Sequence, residues 1–293
     1  MALTRQAARP YKSVMRVDLS VPTPLAYFAA LVQRDEGLPL LEAAACLAQD
    51  ADPGLDVQQV LDEVDRLAGR LQRQLARGAG VIERLRGLNR FFFEELGFGG
   101  NLNDYHHPDN SYLHRVLHTR RGIPISLAVL WLELAQGLGL AAQGVGFPGH
   151  FLMQVELPEG LVVLDPFTGQ SLSLVELRAR LDEWQPQPPQ ALPLAMHLRP
   201  ASRRQILARM LRNLQQIHRT QREWTRLVQV QDRLVTLLPE AWDEYRERGL
   251  ALAELGQTER AQADLSLYLQ RARDARDRAQ VAERLDALPR SRS

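Results

Sequence analysis

The chain has 293 residues, of which 45% are hydrophobic and 24% charged, a composition suited to one or two globular domains. Its 36 basic and 35 acidic side chains leave a net charge of +1, which argues against a nucleic-acid or membrane-surface binder driven by overall charge. A single cysteine, Cys46, excludes a disulfide framework and any metal site with more than one thiolate. Lys12 is the only lysine; so strong a bias to arginine reads as the coding habit of a GC-rich genome. The first residues, MALTRQAARPYKSVMRVDL, lack the apolar core of a signal peptide, and no apolar run is long enough to span a bilayer, so a cytoplasmic location is expected.

From Pro22 to Leu96 the pattern is helical. Two short amphipathic segments, PLAYFAALVQRDEG and LPLLEAAACLAQD, are separated by Gly37 and Pro39. Val57, Val60, Leu61, Val64, Leu67 and Leu71 then recur at helical spacing. A further stripe runs through Leu85, Leu88, Phe92 and Leu96, and the run Phe91, Phe92, Phe93 is expected in the core. Residues 97–114 (GFGGNLNDYHHPDNSYLH) are rich in Gly, Asn, Asp and Pro and read as a loop. Ser111 or Asn110 is expected to cap the short helix after it.

GIPISLAVLWLELAQGLGL follows. Between Ile123 and Leu138 its only polar residues are Ser126, Glu133 and Gln136, so this helix must be buried on most sides. Pro124 suits its first turn. Three short strands are expected next, near 142–147, 151–157 and 161–165. The last two form a hairpin around Pro158, Glu159 and Gly160, with His150 opening one strand and Asp165 closing the other. That places a His beside an Asp, two thirds of a catalytic triad. SLVELRARLDEW is another helix, and the proline-rich 185–200 is a linker or an extended crossing segment. Beyond it four amphipathic helices fall into two pairs about 34 residues apart, the tetratricopeptide period. Gly249, Leu252, Gly256, Ala261 and Leu265 hold the small and apolar positions of that repeat. Two repeats are too few to stand alone, so they are expected to pack on what precedes them. A domain boundary is expected near 198, giving units 1–198 and 199–293.

The stretches GIPISLA and GVGFPGHF, within residues 88–165, together with RNLQQI, ERGLALAELG and DLSLYL further on, resemble the SirB-type family: bacterial proteins with a transglutaminase-like, or papain-like, domain followed by tetratricopeptide repeats. The resemblance implies an α+β fold. A central buried helix would lie against a small antiparallel sheet, with a helical N-terminal part before it and an all-α tetratricopeptide-like module after it. It also implies a site. In active members of the superfamily a cysteine begins the central helix, where the helix N-terminus lowers its pKa. Counting back from Ala128 and from Gly139 places that position at Pro124. Ser126 lies two residues on, about 200° around the helix at about 100° per residue, and is a poor substitute; a hydrogen bond to first-turn backbone is expected for it.

His150 and Asp165 remain as a vestigial or active pair, with Gly149 allowing close backbone approach. The loop residues Asn103, Tyr105, His107 and Asn110 are expected to wall the groove beside His150. His106, His107 and Asp109 offer metal-ligand atoms without the spacing of a ligand set; His114 and His118, four apart on a helix, have better metal geometry but lack the acidic partner of a known motif, and no metal or cofactor is expected. Two functions follow. One is a pseudoenzyme: a protein- or peptide-binding module with a regulatory role, using the old groove and the tetratricopeptide-like helices. The other is a hydrolase or transferase acting on amide bonds through His150 and Asp165 with water or a non-cysteine nucleophile.

Overall fold

The computed structural model describes residues 22–184 and 193–289. The N-terminal part is helical, as its periodicity predicts. Helix α1 spans Pro24–Leu31, capped by the Thr23 hydroxyl, which accepts from the Ala26 amide. Helix α2, Leu40–Ala45, runs into a single turn of 3-10 helix over Cys46–Ala48. Helix α3, Val57–Gln74, is capped by Asp56 and buries Val57, Val60, Val64, Leu67 and Leu71, while Leu61 is only half-buried. Helix α4, Val81–Asn89, continues into a π-helical turn, Arg90–Glu95. That wider turn breaks the simple stripe: both Phe91 and Phe92 are fully buried, Phe92 stacks on Phe98 with centroids 4.3 Å apart, and Phe93 turns outward to cover Gly169.

Strand β1 (Gly99–Gly100) pairs in parallel with β2 (Arg121–Gly122), and helix α5 (Leu113–Thr119) lies between them in sequence. Tyr112 occupies the N-cap of α5 without a side-chain hydrogen bond; neither Ser111 nor Asn110 caps it. Asn110 is recruited elsewhere, as described below. Helix α6, Pro124–Gly137, is the centre of the molecule: ten of its fourteen residues are buried. It contacts α2, α3, α4, α5, both short strands and the sheet formed by β3 (Ala142–Val145), β4 (Leu152–Leu157) and β5 (Gly160–Leu164). The sheet is antiparallel in the order β3-β4-β5. Leu157 pairs with Gly160 across a tight two-residue turn of Pro158 and Glu159, and Gly160, the first residue of β5, has a φ of +134° that glycine adopts readily.

Helix α7, Leu174–Trp184, follows the sheet. Residues 185–192 of the proline-rich segment lie outside the described residues; beyond them come one helical turn, α8 (Leu194–His197), and an extended stretch. That stretch crosses back over the sheet, with Pro200 bridging Val145 and the Ala201 amide donating to the Gly144 carbonyl at 2.8 Å.

Among the described residues five helices follow: α9 (Arg203–Thr220), α10 (Trp224–Leu237), α11 (Trp242–Glu254), α12 (Thr258–Arg271) and α13 (Arg278–Asp286). Helix α9 begins with a complete capping box, Ser202 and Gln205 each bonding the other's backbone amide. Gly249 of α11 meets Leu265 of α12 so closely that a Cβ there would lie 2.8 Å from the leucine side chain. The small-residue pattern of the repeat therefore reports a close helix crossing.

The first helix pair and the N-terminal part share one hydrophobic core. Ile206, Leu207, Leu211, Leu214, Leu234 and Leu237 belong to the same buried cluster as Phe28, Phe91 and Trp131. A second cluster, around Leu252, Leu265 and Tyr268, holds the last helices together. Three arginines stitch the first pair to the N-terminal helices. Arg203 donates to the Leu38 carbonyl at 2.7 Å, and Arg204 to the Val32 carbonyl at 2.7 Å. Arg233, only 2% exposed, pairs with Asp50 and lies over the Phe28 ring. Burial holds its guanidinium down at about 10.

Removing one member of a buried pair leaves the other charge poorly solvated. Arg233→Ala is expected to cost about 3 kcal/mol in a urea unfolding titration, and Arg233→Met less, because it keeps the packing against Phe28. A loss below about 0.5 kcal/mol for Arg233→Ala would show that the two parts are not coupled through this residue.

Candidate functional site

His150 does not lie in a strand. It ends the turn Phe147–His150, with its amide donating to the Phe147 carbonyl at 3.1 Å, and β4 begins only at Leu152. Asp165 lies one residue beyond β5. Because Met153 faces Leu164, Asp165 directly follows that pair while His150 precedes it by three residues, so the two meet on a diagonal. His150 Nε2 is 3.6 Å from Asp165 Oδ1, an ion-pair distance too long for a good hydrogen bond. Among the described residues Nε2 has no other partner.

Asp165 is buried and has three favourable neighbours. Its Oδ1 accepts from the Phe167 amide at 2.8 Å, and its Oδ2 accepts from Arg180 Nη2 at 2.8 Å. Burial works to raise its pKa, but His150, the Phe167 amide and Arg180 together outweigh it and hold the carboxyl at about 2. The turn behind it is closed by its own carbonyl, which accepts from the Gly169 amide at 2.8 Å.

Gly149 has φ +66°, and a Cβ there would lie 2.0 Å from the Trp184 indole. The glycine is needed both for its backbone conformation and because α7 ends against it. Phe167 ties the site to the start of α6. Its ring lies over Gly100, where a Cβ would approach to 2.7 Å, and meets the His150 ring edge-on at 6.0 Å. Gly100 in turn pairs with Gly122, two residues before Pro124. Pro124 is the first residue of α6 and is buried.

Ser126 is fully buried, and its hydroxyl is committed to backbone. It donates to the Asn110 carbonyl at 2.6 Å and accepts from the Ile123 amide at 3.1 Å. Asn110 lies beneath the loop. Its Nδ2 donates to the carbonyls of Asp104 (2.6 Å) and Tyr105 (3.2 Å), and its Oδ1 accepts from Asn101 Nδ2 at 3.0 Å. One side chain thus gathers residues 101–105, while its own backbone is tied to α6. Tyr105 is brought to 6.4 Å from Phe167 and lies next to the site. Asn103 is exposed, and His107 turns away: its Nδ1 accepts from the Asp109 amide at 3.2 Å and caps the 3-10 turn Pro108–Asn110.

His114 faces Asp52 at 3.9 Å, and His118 is exposed. Among the described residues no group of three His, Cys, Asp or Glu side chains is placed to hold a metal ion. Cys46 is fully buried beneath α10, with its carbonyl facing Arg233, and burial followed by the nearby Glu42 pushes its thiol up to about 12.

Four contributors had no sequence signal that singled them out: Arg180, Phe167, Trp184 and Gly100.

The transglutaminase-like superfamily model matches residues 58–212, and a tetratricopeptide-repeat model matches 214–286. The chain belongs to the transglutaminase-like superfamily. A UPF0162 protein of Xylella fastidiosa (strain 9a5c) is 38% identical over 238 residues, covering 80% of this chain and 85% of the relative. A UPF0162 protein of Pseudomonas aeruginosa is 32% identical over 249 residues, covering 85% and 90%. Protein SirB1 of Salmonella typhimurium is 28% identical over 218 residues, covering 73% and 79%. The SirB-type resemblance and the α+β architecture with a following repeat module are therefore both established.

The depressed pKa of Asp165 makes a signed prediction. A carboxyl at about 2 in the fold and near its ordinary 3.8 when unfolded contributes stability that is complete above the ordinary value. That contribution is lost as pH falls through about 2. Urea unfolding between pH 2 and 6 is expected to show about 2 kcal/mol of acid loss that Asp165→Asn abolishes. Asn110→Ala, which removes three hydrogen bonds from a buried group, is expected to cost about 2–3 kcal/mol in the same assay.

Proposed function

We propose that this transglutaminase-like protein is a pseudoenzyme of the bacterial cytoplasm, a binding and regulatory module that takes a protein or peptide in the groove beside His150 and along its tetratricopeptide helices. The observation that carries the reading is Pro124. It stands where active members of the superfamily carry the nucleophilic cysteine, at the buried first turn of α6. Proline offers neither a nucleophile nor an N–H there. The two substitutes that the sequence offers are already committed. The Cys46 thiol is in the core with its thiolate suppressed, and the Ser126 hydroxyl donates to the Asn110 carbonyl. Tetratricopeptide repeats generally mediate contacts between proteins, and the bacterial sources of the relatives support the setting.

One observation favours an enzyme instead. The His150–Asp165 pair keeps an ion-pair distance through the buried Nε2, which leaves Nδ1 of the partly exposed ring to act as an acid or base on a bound water. Hydrolysis or transfer at an amide would be the chemistry. Against it, Asp165 divides its oxygens between Arg180 and the Phe167 amide, which suits an anchor for the turn as well as it suits an orienter of His150.

The experiment is labelling together with turnover. Native protein treated with iodoacetamide or a fluorophosphonate is expected to stay unmodified, and His150→Ala is expected to change nothing; urea-unfolded protein should take one iodoacetamide at Cys46. Labelling of the native protein that disappears in His150→Ala would overturn the reading. So would amide turnover lost in both His150→Ala and Asp165→Asn.

A further inference from the structure

A groove of about 630 Å³ opens next to the Gly149 turn, between the sheet and the start of α9. Its accessible apolar side is Pro148, Met196 and Pro200, laid over the buried Phe147 and Phe151, and its polar side is His197, Arg199 and Arg209. No carboxylate lines it. In a chain with 36 basic and 35 acidic residues, a groove of one sign is a local concentration and not a reflection of composition. Arg212 at its margin is neutralised by Glu244, whose Oε1 accepts from Nε at 2.9 Å and Nη2 at 2.8 Å. Among the described residues, Arg209, Arg199 and His197 have no carboxylate within ion-pair distance.

Arg209 is the most constrained of the three. It is half-buried, its guanidinium lies 5.7 Å from the Phe151 ring, and its Nη1 donates to the Phe147 carbonyl at 3.2 Å. One of five donors is used, and the planar group is held in place with the rest to spare. Burial works against its charge. A partly desolvated guanidinium without a counter-charge is an unfavourable arrangement that an arriving carboxylate would relieve.

We propose that this groove binds an acidic peptide segment. Arg209 takes a side-chain or C-terminal carboxylate, Arg199 adds positive charge and His197 a hydrogen-bonding ring beside it, and Pro148, Met196 and Pro200 receive apolar side chains. The inference rests on the binding-module reading above and names the class of partner. The mixture of guanidinium and apolar surface suits a peptide better than a nucleic acid, whose phosphates are usually gathered by a broad basic surface; here the net charge is only +1.

The test is fluorescence anisotropy on the full chain with three labelled peptides of about ten residues. They share the same Leu and Phe positions and carry Glu, Gln or Lys at all others. The Glu peptide is expected to bind, the Gln peptide about tenfold more weakly, and the Lys peptide least. Arg209→Gln should weaken the Glu peptide about tenfold, and Arg199→Gln, at an exposed position, by a smaller factor. Thermal melts confirm that each variant is folded, and the exposed Arg199 keeps the test decisive if Arg209→Gln does not fold. Equal binding of the Glu and Gln peptides, or no effect of either variant, overturns the acidic preference while leaving a peptide-binding module in place. Displacement of the Glu peptide by a short oligothymidylate at lower concentration than by unlabelled Glu peptide overturns it in favour of a phosphate backbone. If no peptide binds, the acidic-peptide inference is lost; whether the domain lacks catalysis is decided separately by the labelling and turnover experiment.

Discussion

Helix α6 has almost no face to give to water. Ten of its fourteen residues are buried, and each side is closed by a different part of the chain: the N-terminal helices, the two short strands, the three-stranded sheet and α9. Burying an apolar helix of this kind is worth far more than any single polar contact in the protein, at about 25 cal/mol per Å² of apolar surface removed from water. Its position is therefore fixed first, and the groove is arranged with respect to it. The Asn110 carbonyl is held by Ser126 on the helix, the Asn110 side chain gathers the loop, and the loop presents Tyr105 toward Phe167 and His150. A core helix, one serine and one asparagine thus determine where an exposed aromatic side chain stands.

The same logic separates the roles of the polar residues in the loop. Asn103, Tyr105, His107 and Asn110 look alike in sequence, as polar or aromatic residues in a glycine-rich stretch. In the fold they divide. Asn110 is structural, His107 is a cap, Asn103 is solvent-facing, and only Tyr105 stands among the groove aromatics. Composition marks a loop; the hydrogen-bond partners of each side chain decide its function.

Much of the framework was legible because it follows from periodicity. The buried face of α3, the apolar α6, the hairpin closed at Gly160 and the close α11–α12 crossing at Gly249 each had a pattern or a glycine to announce them. Three features did not. The π-helical turn at Arg90–Glu95 shifts the phase of the phenylalanines, and no local rule marks where a helix will widen. The diagonal meeting of His150 and Asp165 depends on strand register, and the strands end earlier than their apolar residues suggest. Arg180 and Trp184 reach Asp165 and Gly149 from α7, and Arg209 reaches the Phe147 carbonyl from α9, a matter of tertiary packing that spacing cannot encode.

The crossing stretch at Pro200 and Ala201 has a consequence for how a partner can be read. Strand β3 is the outer strand of its sheet, and exposed edges invite an extended peptide to join as an additional strand. Here the Gly144 carbonyl already accepts from the Ala201 amide, and Pro200, lacking an N–H, sits opposite Val145. The protein has filled the Gly144–Val145 end of this edge with its own backbone. A ligand at that end cannot be recognised by main-chain pairing with β3, which is indifferent to sequence, and must be distinguished by its side chains. A groove built next to a self-closed edge is thereby biased toward selectivity over general stickiness.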